Sequence, residues 1–230
     1  MKTDNTLFKK KFAAWFWCIF STGIVTIVLV FWMITNGWLG YLPPLDELQN
    51  PKNKYATEVI SADMQLLGRY YRNENRVSVT YPEISPNMIN ALIATEDVRY
   101  YEHTGVDLKS LFRAVIKLGK AGGGSTITQQ LCKNQFFTQK KLFTRKIAEV
   151  FMVREIENSY TKNEILELYI NSIYYGNGYY SLADAGAGYF GKTVAELNAW
   201  ECTLLAGLPN APSAYAPNKH PELALQRQIQ

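Results

Sequence analysis

Apolar and polar positions divide this chain sharply. No charged side chain occurs between Lys11 and Asp46, and within that window Phe12–Thr35 is a 24-residue, mostly apolar run rich in Phe, Trp, Ile and Val. As a helix it is roughly 36 Å long, enough to cross a hydrocarbon layer of about 30 Å with some tilt. Trp15, Trp17, Trp32, Trp38 and Tyr41 crowd its two ends, where amphipathic rings favour the interface. Lys2, Lys9, Lys10 and Lys11 precede it against Asp4 alone, which predicts a cytoplasmic N-terminus and an exterior location for everything after Asn36. A cleaved signal peptide is the alternative, but the run is longer than a usual signal core and has no clean small-x-small cleavage site. Cys18 lies inside the span and reads as a small apolar residue. The expected organisation is a tail at 1–11, a transmembrane helix at 12–36, a linker at 37–56 and a functional domain at 57–230.

Beyond the linker, with its Pro43-Pro44 and polar stretch from Asp46 to Lys54, the pattern changes twice. Residues 57–81 carry β-branched and aromatic runs split by turn-prone residues, which predicts a hairpin or a few extended segments. From Ser85 the spacing turns helical. Ser85-Pro86 supplies an N-cap with Pro at the first helical position, and Ile89, Leu92 and Ile93 follow at helix spacing. Thr161-Lys-Asn-Glu164 before ILELYI is a capping box. Helical patterns also cover 107–119, 126–133, 141–157 and 195–207. No internal repeat occurs. The expected fold is mainly α, one helical domain behind one N-terminal membrane helix.

Composition narrows the chemistry. The chain is 47% hydrophobic and 19% charged, which excludes a disordered or low-complexity protein. Cys18, Cys132 and Cys202 are odd in number and widely spaced, and His103 and His220 lie far apart, so neither a disulfide framework nor a structural zinc site is expected. Residues 46–230 are nearly neutral, with 20 basic and 19 acidic side chains. Lys109–Arg154 departs from that balance: Lys109, Arg113, Lys117, Lys120, Lys133, Lys140, Lys141, Arg145, Lys146 and Arg154 face Glu149 as the one acid. Such a stretch suits either a phosphorylated ligand or anionic lipid headgroups. An exterior, membrane-tethered domain makes nucleic acid an unsuitable partner.

Two glutamates stand out. Glu96 continues the apolar stripe Ile89, Leu92, Ile93, so it is expected to be partly desolvated, which raises a carboxyl pKa toward the range of a general base or acid. The residues just after it, from Asp97 to Gly105, put polar and aromatic groups past a helix end. The bland reading of Glu96 is a capping or ion-paired residue. Glu149 falls nearly opposite the face formed by Phe143, Ile147, Val150, Phe151 and Arg154, with Leu142, Arg145, Met152 and Val153 around it. Arg145 and Lys146 can neighbour it and keep it ionised, which suits an electrostatic role. An ordinary exposed i,i+4 pair is the alternative. Between two helical patterns, Ala121-Gly-Gly-Gly124-Ser125-Thr126-Ile-Thr128-Gln129-Gln130 offers backbone N–H groups and a helix start to an anion, or serves as a plain linker. It contains no P-loop. Lys133 lies about one turn beyond and can reach a phosphate.

Taken together these segments resemble the membrane-anchored, monofunctional peptidoglycan glycosyltransferases of the lysozyme-like type (glycosyltransferase family 51). Five motifs occur in the family's order. Glu96-Asp97-x-x-Tyr100-Tyr101-x-His103-x-Gly105 is the first, and Gly123-Gly124-Ser125-Thr126-Ile127-Thr128-Gln129-Gln130 with Lys133-Asn134 is the second. Arg145-Lys146-x-x-Glu149 is the third. The fourth runs from Lys162-Asn-Glu164-Ile-Leu-Glu167 through Asn171 and Tyr174-Tyr175-Gly176 to Tyr189-Phe190-Gly191-Lys192. Leu205-Ala-Gly-Leu-Pro209 with Pro212-Ser213 and Tyr215-Ala-Pro217 forms the fifth. The resemblance covers roughly Thr57 to Gln230. It departs where the family has Phe in place of Tyr100, Gly near Ser181 and Asn in place of Ala216.

The resemblance implies a lysozyme-like helical glycosyltransferase domain at 57–230. Its reaction would polymerise glycan strands from lipid II, a disaccharide-pentapeptide on undecaprenyl diphosphate, through β-1,4 linkages. By resemblance Glu96 is the general base for the acceptor 4-hydroxyl, and Glu149 assists at the diphosphate, with Mg2+ or Mn2+ as a candidate helper there and no organic cofactor. Lys133, Arg145 and Lys146 would stabilise the leaving diphosphate. Asp97, His103, Ser125, Thr126, Gln129 and Gln130 complete the implied substrate site. The implied partners are lipid II, the growing strand, membrane lipids and other cell-wall synthesis proteins, at a bacterial inner membrane. A lytic, lysozyme-like enzyme is the rival, since two carboxylates also cleave glycosides, but a neutral glycan does not call for the basic stretch. A non-catalytic scaffold is less suited to a chain that keeps both glutamates. Ser159-Tyr-Thr-Lys162 matches the SxxK of penicillin-binding transpeptidases, yet no KTG follows and it sits at a helix–helix junction, so it is read as accidental. The chain ends just after the fifth motif, which leaves the monofunctional form as the expectation.

Overall fold

The computed structural model describes residues 3–36, 57–63, 66–70, 77–116, 124–136 and 143–229. The expected linker, the first two glycines of the Gly-rich loop, Phe137, Leu142, Lys117, Lys120, Lys140 and Lys141 lie outside the described residues. Two units divide the chain: Met1–Leu42 with Leu142–Ala148, and Pro43–Lys141 with Glu149–Gln230.

Helix α1 (Thr3–Thr35) makes up the described N-terminal part of the first unit. It begins ahead of the apolar run, so Lys9, Lys10 and Lys11 extend the same helix. Its window Lys9–Val30 has a mean hydropathy of 2.1 and no buried residue, so it is long and apolar enough to cross a membrane. The hydroxyl of Ser21 donates to the carbonyls of Trp17 and Cys18, and that of Thr26 to Thr22. Both polar side chains are thus satisfied within the helix, as a hydrocarbon environment requires.

The second unit opens with the expected hairpin. Strands β1 (Thr57–Ile60) and β2 (Leu66–Tyr70) pair antiparallel, Thr57 opposite Tyr70, with an irregularity between Val59 and Ile60. The rest is helical: α2 (Pro86–Glu96), α3 (Leu108–Ile116), α4 (Ile127–Phe136), α5 (Phe143–Ser159, of which the portion from Glu149 belongs here), α6 (Lys162–Ile170), α7 (Leu182–Phe190), α8 (Ala199–Gly207) and α9 (Pro221–Ile229). Helix α2 packs on α8, α4 on α6, and α9 on α8. Met88, Ile89 and Leu92 of α2, Leu131 and Cys132 of α4, and Ile165, Leu166, Tyr169 and Ile170 of α6 are buried in this core.

Capping sets several boundaries. Ser85 accepts from the Asn87 N–H at 3.3 Å to start α2. At α6 the Thr161 hydroxyl accepts the Glu164 N–H while Glu164 accepts the Thr161 N–H at 2.7 Å, the reciprocal box expected from the sequence. The 195–207 pattern needs correction at its start: Val194–Glu196 is a 3-10 turn and Asn198 caps α8, accepting from the Glu201 N–H at 2.9 Å. Helices α7 and α9 escaped the periodicity. In α7 the reason is LADAGAGYF itself, whose two glycines weaken helix propensity. Gly188 serves packing, because a Cβ there would run into the Tyr179 ring. Ser181, where the family has Gly, caps α7 by accepting the Asp184 N–H.

Helix α5 carries a second correction. Its sequence pattern put Phe143, Ile147, Val150, Phe151 and Arg154 on one face and Glu149 nearly opposite, with Met152 and Val153 around it. Within the second unit the buried face is Glu149, Met152, Val153 and Ile156, whereas Val150 and Arg154 are exposed. Glu149 is 1% exposed, which removes the surface i,i+4 pair. The apolar residues on the outer face misled the spacing argument.

Gly105 is where the α2–α3 connection meets α5. Its φ is +85°, and a Cβ there would strike the Val153 side chain and approach Glu157. Gly178 has φ +86° with open space around it. Gly105→Ala is therefore expected to cost about 2–4 kcal/mol, backbone strain plus overpacking, against about 1 kcal/mol for Gly178→Ala. Parallel thermal melts in detergent check the ordering, and equal losses would contradict the packing assignment.

Candidate functional site

The first motif is built around a buried carboxylate. Asp97 follows the last residue of α2, and its N–H donates to the Ile93 carbonyl at 3.0 Å. Its side chain accepts from His103 Nε2, 3.0 Å from both oxygens, and from the Ile127 N–H at 3.1 Å. On the other side of the ring, His103 Nδ1 accepts the Gly105 N–H at 3.1 Å, which places the imidazole proton on Nε2, facing Asp97. Thr126 caps α4: its hydroxyl accepts from the Gln129 N–H at 3.2 Å and donates to the Gly105 carbonyl at 2.5 Å, and Gln129 Oε1 accepts the Thr126 N–H at 3.0 Å. The end of α2, the connecting loop and the start of α4 are thereby tied in one network. Every buried polar group in it has a partner, as burial demands.

Glu96 sits on this base, half-buried at the last position of α2. Gln130 Nε2 donates to Glu96 Oε2 at 2.8 Å, and the buried Tyr169 hydroxyl donates to Gln130 Oε1 at 2.9 Å. The Gln130 amide is thus fixed with its N–H toward the carboxylate. Burial raises the Glu96 pKa above the usual carboxylate value. The Gln130 hydrogen bond and the Arg227 guanidinium oppose the rise, and the Asp97 charge adds to it. The expected desolvated carboxylate is present, and it is the general base or acid candidate of the site.

Other expected residues divide into groups. Ser125 is exposed and Gln129 half-buried at the start of α4, and Lys133 is exposed one turn past Gln130. Thr126 is buried and used for capping, while Asp97 and His103 are scaffold groups beneath Glu96. Glu149 lies beside α4, where its backbone carbonyl faces Cys132 Sγ at 3.9 Å. Arg145 and Lys146 occupy α5 four and three residues before Glu149, with side chains outside the described set. Among the described residues no three His, Cys, Asp or Glu side chains converge on a point. Together with the near-complete burial of Glu149, the donor set among the described residues does not fit a resident metal cage.

Sequence reasoning passed over the roles of two residues and two pairs. Tyr169 looked like plain core within ELYI. Arg227 lies in the unrecognised α9. Glu157 accepts from Thr128 Oγ1 at 2.5 Å and pairs with Lys162 Nζ at 2.7 Å, and Lys162 Nζ stands 4.5 Å from the Tyr100 ring centroid. That use of Lys162, with the adjacent Thr161 as a helix cap, agrees with the SxxK match being accidental. The Tyr100 hydroxyl donates to the Lys162 carbonyl at 2.8 Å, a bond Phe could not make. Arg99 and Asp107 form the last pair. Asp107 starts α3, accepting from the N–H groups of Lys109 and Ser110 at 3.0 and 3.1 Å, and binds Arg99 Nη2.

Around α3 the surface is apolar and basic at once. Leu108, Leu111, Phe112 and Ile116 share a helix face at spacings of 3, 1 and 4, and all four are exposed. Lys109 and Arg113 are exposed on the same helix. A large exposed apolar stripe with basic neighbours is the arrangement of an interfacial helix.

Comparison with known proteins agrees with the motif pattern. Residues 63–230 match the transglycosylase family. The chain is 43% identical to penicillin-binding protein 1A of Neisseria cinerea over 217 residues, 92% of this chain and 26% of that protein. It is 40% identical to penicillin-binding protein 1A of Pseudomonas aeruginosa over 190 residues, 81% of this chain and 23% of that protein. A crystal structure of penicillin-binding protein 1A from Haemophilus influenzae superposes with a TM-score of 0.41 and 24% identity, over 77% of this chain and 17% of that one. The chain thus spans about a quarter of the length of the curated relatives it matches.

Burial acts to raise the Asp107 carboxyl pKa, but hydrogen bonds from Ser110 and Arg99 and the Arg99 charge outweigh it and lower it to about 2. A carboxyl depressed in the folded state adds stability above its unfolded pKa and loses it as pH falls toward the folded value. Asp107→Asn is expected to cost about 1–2 kcal/mol at pH 7. The deficit should shrink below about pH 4 and vanish near pH 2, as followed by denaturation across that range.

Proposed function

The chain belongs to the transglycosylase family, and on that premise we propose that it polymerises peptidoglycan glycan strands. Its donor is a glycan chain on undecaprenyl diphosphate and its acceptor the 4-hydroxyl of lipid II, giving a β-1,4 linkage. In the step, the acceptor oxygen attacks the donor anomeric carbon. The bond from that carbon to the diphosphate oxygen breaks, the diphosphate leaves with the electron pair, and the acceptor proton passes to Glu96. The observation that carries this reading is Glu96 itself: a half-buried carboxylate with a raised pKa, held by an oriented Gln130 amide.

Cations serve the opposite end of the bond. A diphosphate accumulates charge as it departs, and positive side chains fixed near it lower the barrier. Lys133, Arg145 and Lys146 are the assigned groups, and Glu149 is assigned to assist at the diphosphate. Ser125 and Gln129 flank the start of α4 and are assigned to contact substrate. Asp97, His103 and Thr126 act by holding that helix start against Glu96. The ten-to-one basic stretch favours this polymerase over a lytic enzyme, whose neutral substrate carries no diphosphate.

A lipid-linked substrate also requires an enzyme at the bilayer. Helix α1 is the assigned anchor, with the N-terminal lysines on the cytoplasmic side and the catalytic domain outside the inner membrane. The exposed apolar stripe of α3, with Lys109 and Arg113, suits contact with the same anionic surface. Other cell-wall synthesis proteins are the expected partners.

Purified protein in detergent with labelled lipid II tests the proposal. Strands should form with the parent protein, and Glu96→Gln should reduce the rate about 10²- to 10⁴-fold, the usual worth of a general base. Lipid II left intact by the parent, with cleavage of preformed peptidoglycan, would replace this reading with the lytic one.

A further inference from the structure

Tyr169 is fully buried, yet it carries a hydroxyl. A buried hydroxyl without a partner is costly, so the place where it finds one is informative. Tyr169 Oη donates to Gln130 Oε1 at 2.9 Å, and Gln130 Nε2 donates to Glu96 Oε2 at 2.8 Å. Residues from α6, α4 and the end of α2 thus form a chain of two hydrogen bonds that runs from the core to the carboxylate. The helices hold it in place. Helix α4 packs on α6, and the Ile127 N–H at the start of α4 is bound to Asp97, the neighbour of Glu96.

Gln130 is the adaptable link. Its amide is a donor at one end and an acceptor at the other, with nearly the same shape either way round. Facing a carboxyl, the N–H end favours the ionised form and the C=O end favours the protonated form. An unrestrained glutamine would turn over as Glu96 takes up a proton, and would then stabilise the protonated state. Tyr169 opposes that turn. With the amide reversed, Nε2 would face the hydroxyl oxygen, and the phenolic hydrogen would lose its acceptor. Among the described residues, Gln130 is the partner of that hydroxyl. Burial also holds the phenol well above its usual pKa, so it keeps its hydrogen wherever the carboxyl titrates.

We propose that Tyr169 is a positioning residue for the proposed reaction: its hydroxyl locks the Gln130 amide with the N–H end toward Glu96 and so favours the ionised, proton-accepting carboxylate. Tyr169 acts through Gln130. A base must be unprotonated before it can accept the acceptor proton, and the lock withholds from Glu96 the hydrogen bond that its protonated form would use. The inference rests on the general-base reading of Glu96, so its test includes a readout that does not need turnover. The charged groups that act on Glu96 are Asp97 beside it and Arg227 of α9, and the test leaves both in place.

Glu96 is titrated by ¹³C NMR in the full chain in detergent, with glutamate carboxyl labelling and the Glu96 signal identified by its loss in Glu96→Gln. Tyr169→Phe, which removes the hydroxyl and keeps the ring, should raise the midpoint by about a half to one unit. The acidic limb of lipid II polymerisation should move up with it, to about a three- to tenfold loss of kcat below the midpoint, with recovery at high pH and an unchanged KM. In a Gln130→Met background, Tyr169→Phe should leave the Glu96 midpoint where it is, because the link is already gone. A structural role alone would lower the whole profile without moving the midpoint. In the parent, ¹⁵N labelling follows the Gln130 amide through the same titration, and its Nε2 hydrogens should stay on the Glu96 side throughout. An unchanged midpoint in Tyr169→Phe, an equal shift in the Gln130→Met background, or an amide that turns over in the parent overturns the inference. The last of these decides the matter even if the variant does not fold. A parent that shows the coupling but leaves lipid II intact would sink the polymerase reading and leave the Tyr169–Gln130–Glu96 lock standing.

Discussion

The buried Asp97 carboxylate is the constraint from which the rest of the site follows. An unpaired carboxylate in a protein interior is costly, and the chain meets that cost with the Nε2–H of His103 and the first N–H of α4. The second bond also places a negative charge at a helix start, where the dipole favours it. Each partner is itself restrained. His103 is held from behind by the Gly105 N–H, and Gly105 receives the hydroxyl of Thr126, which caps the same helix. Three segments distant in sequence are therefore in register because one acid must be satisfied.

Register is what makes Glu96 useful. It is adjacent to Asp97, so the network fixes the end of α2, while the start of α4 brings Gln130 within hydrogen-bonding distance. Two opposing effects then act on one carboxyl. Desolvation and the Asp97 charge favour its protonated form, and Gln130 and Arg227 favour its ionised form. A proton acceptor works best between these extremes. Asp97, His103 and Thr126, expected from the motifs as substrate contacts, are joined in the network that ties the end of α2 to the start of α4.

A similar separation of tasks holds on the surface. In α5 the residues that face inward carry Glu149, and an exposed valine stands on the outer face. In α3 four large apolar side chains are left in the open beside basic ones. For a water-soluble protein such faces would be a liability. In a chain whose α1 is long and apolar enough to cross a membrane, the proposed bilayer contact would give them a neighbour.

Much of this was legible in the sequence because it depends on local rules. The charge-free run determined α1, the Ser85-Pro86 and Thr161–Glu164 caps determined where α2 and α6 begin, and the Glu96 stripe announced a carboxylate at the edge of the core. Motif order identified the family. What depended on packing was not legible. No helix was expected over α7, where Gly188 leaves room for the Tyr179 ring, and the burial of the Glu149 face of α5 was not expected because the opposite face is also apolar. Glu157 with Lys162, and Tyr169 behind Gln130, join residues far apart in the chain through side-chain ends, which no periodicity encodes. Arg227 is the clearest case. Sequence determined its charge, but only the packing of α9 on α8 decided that its stem would lie against Gly207, because that placement is a property of how helices pack.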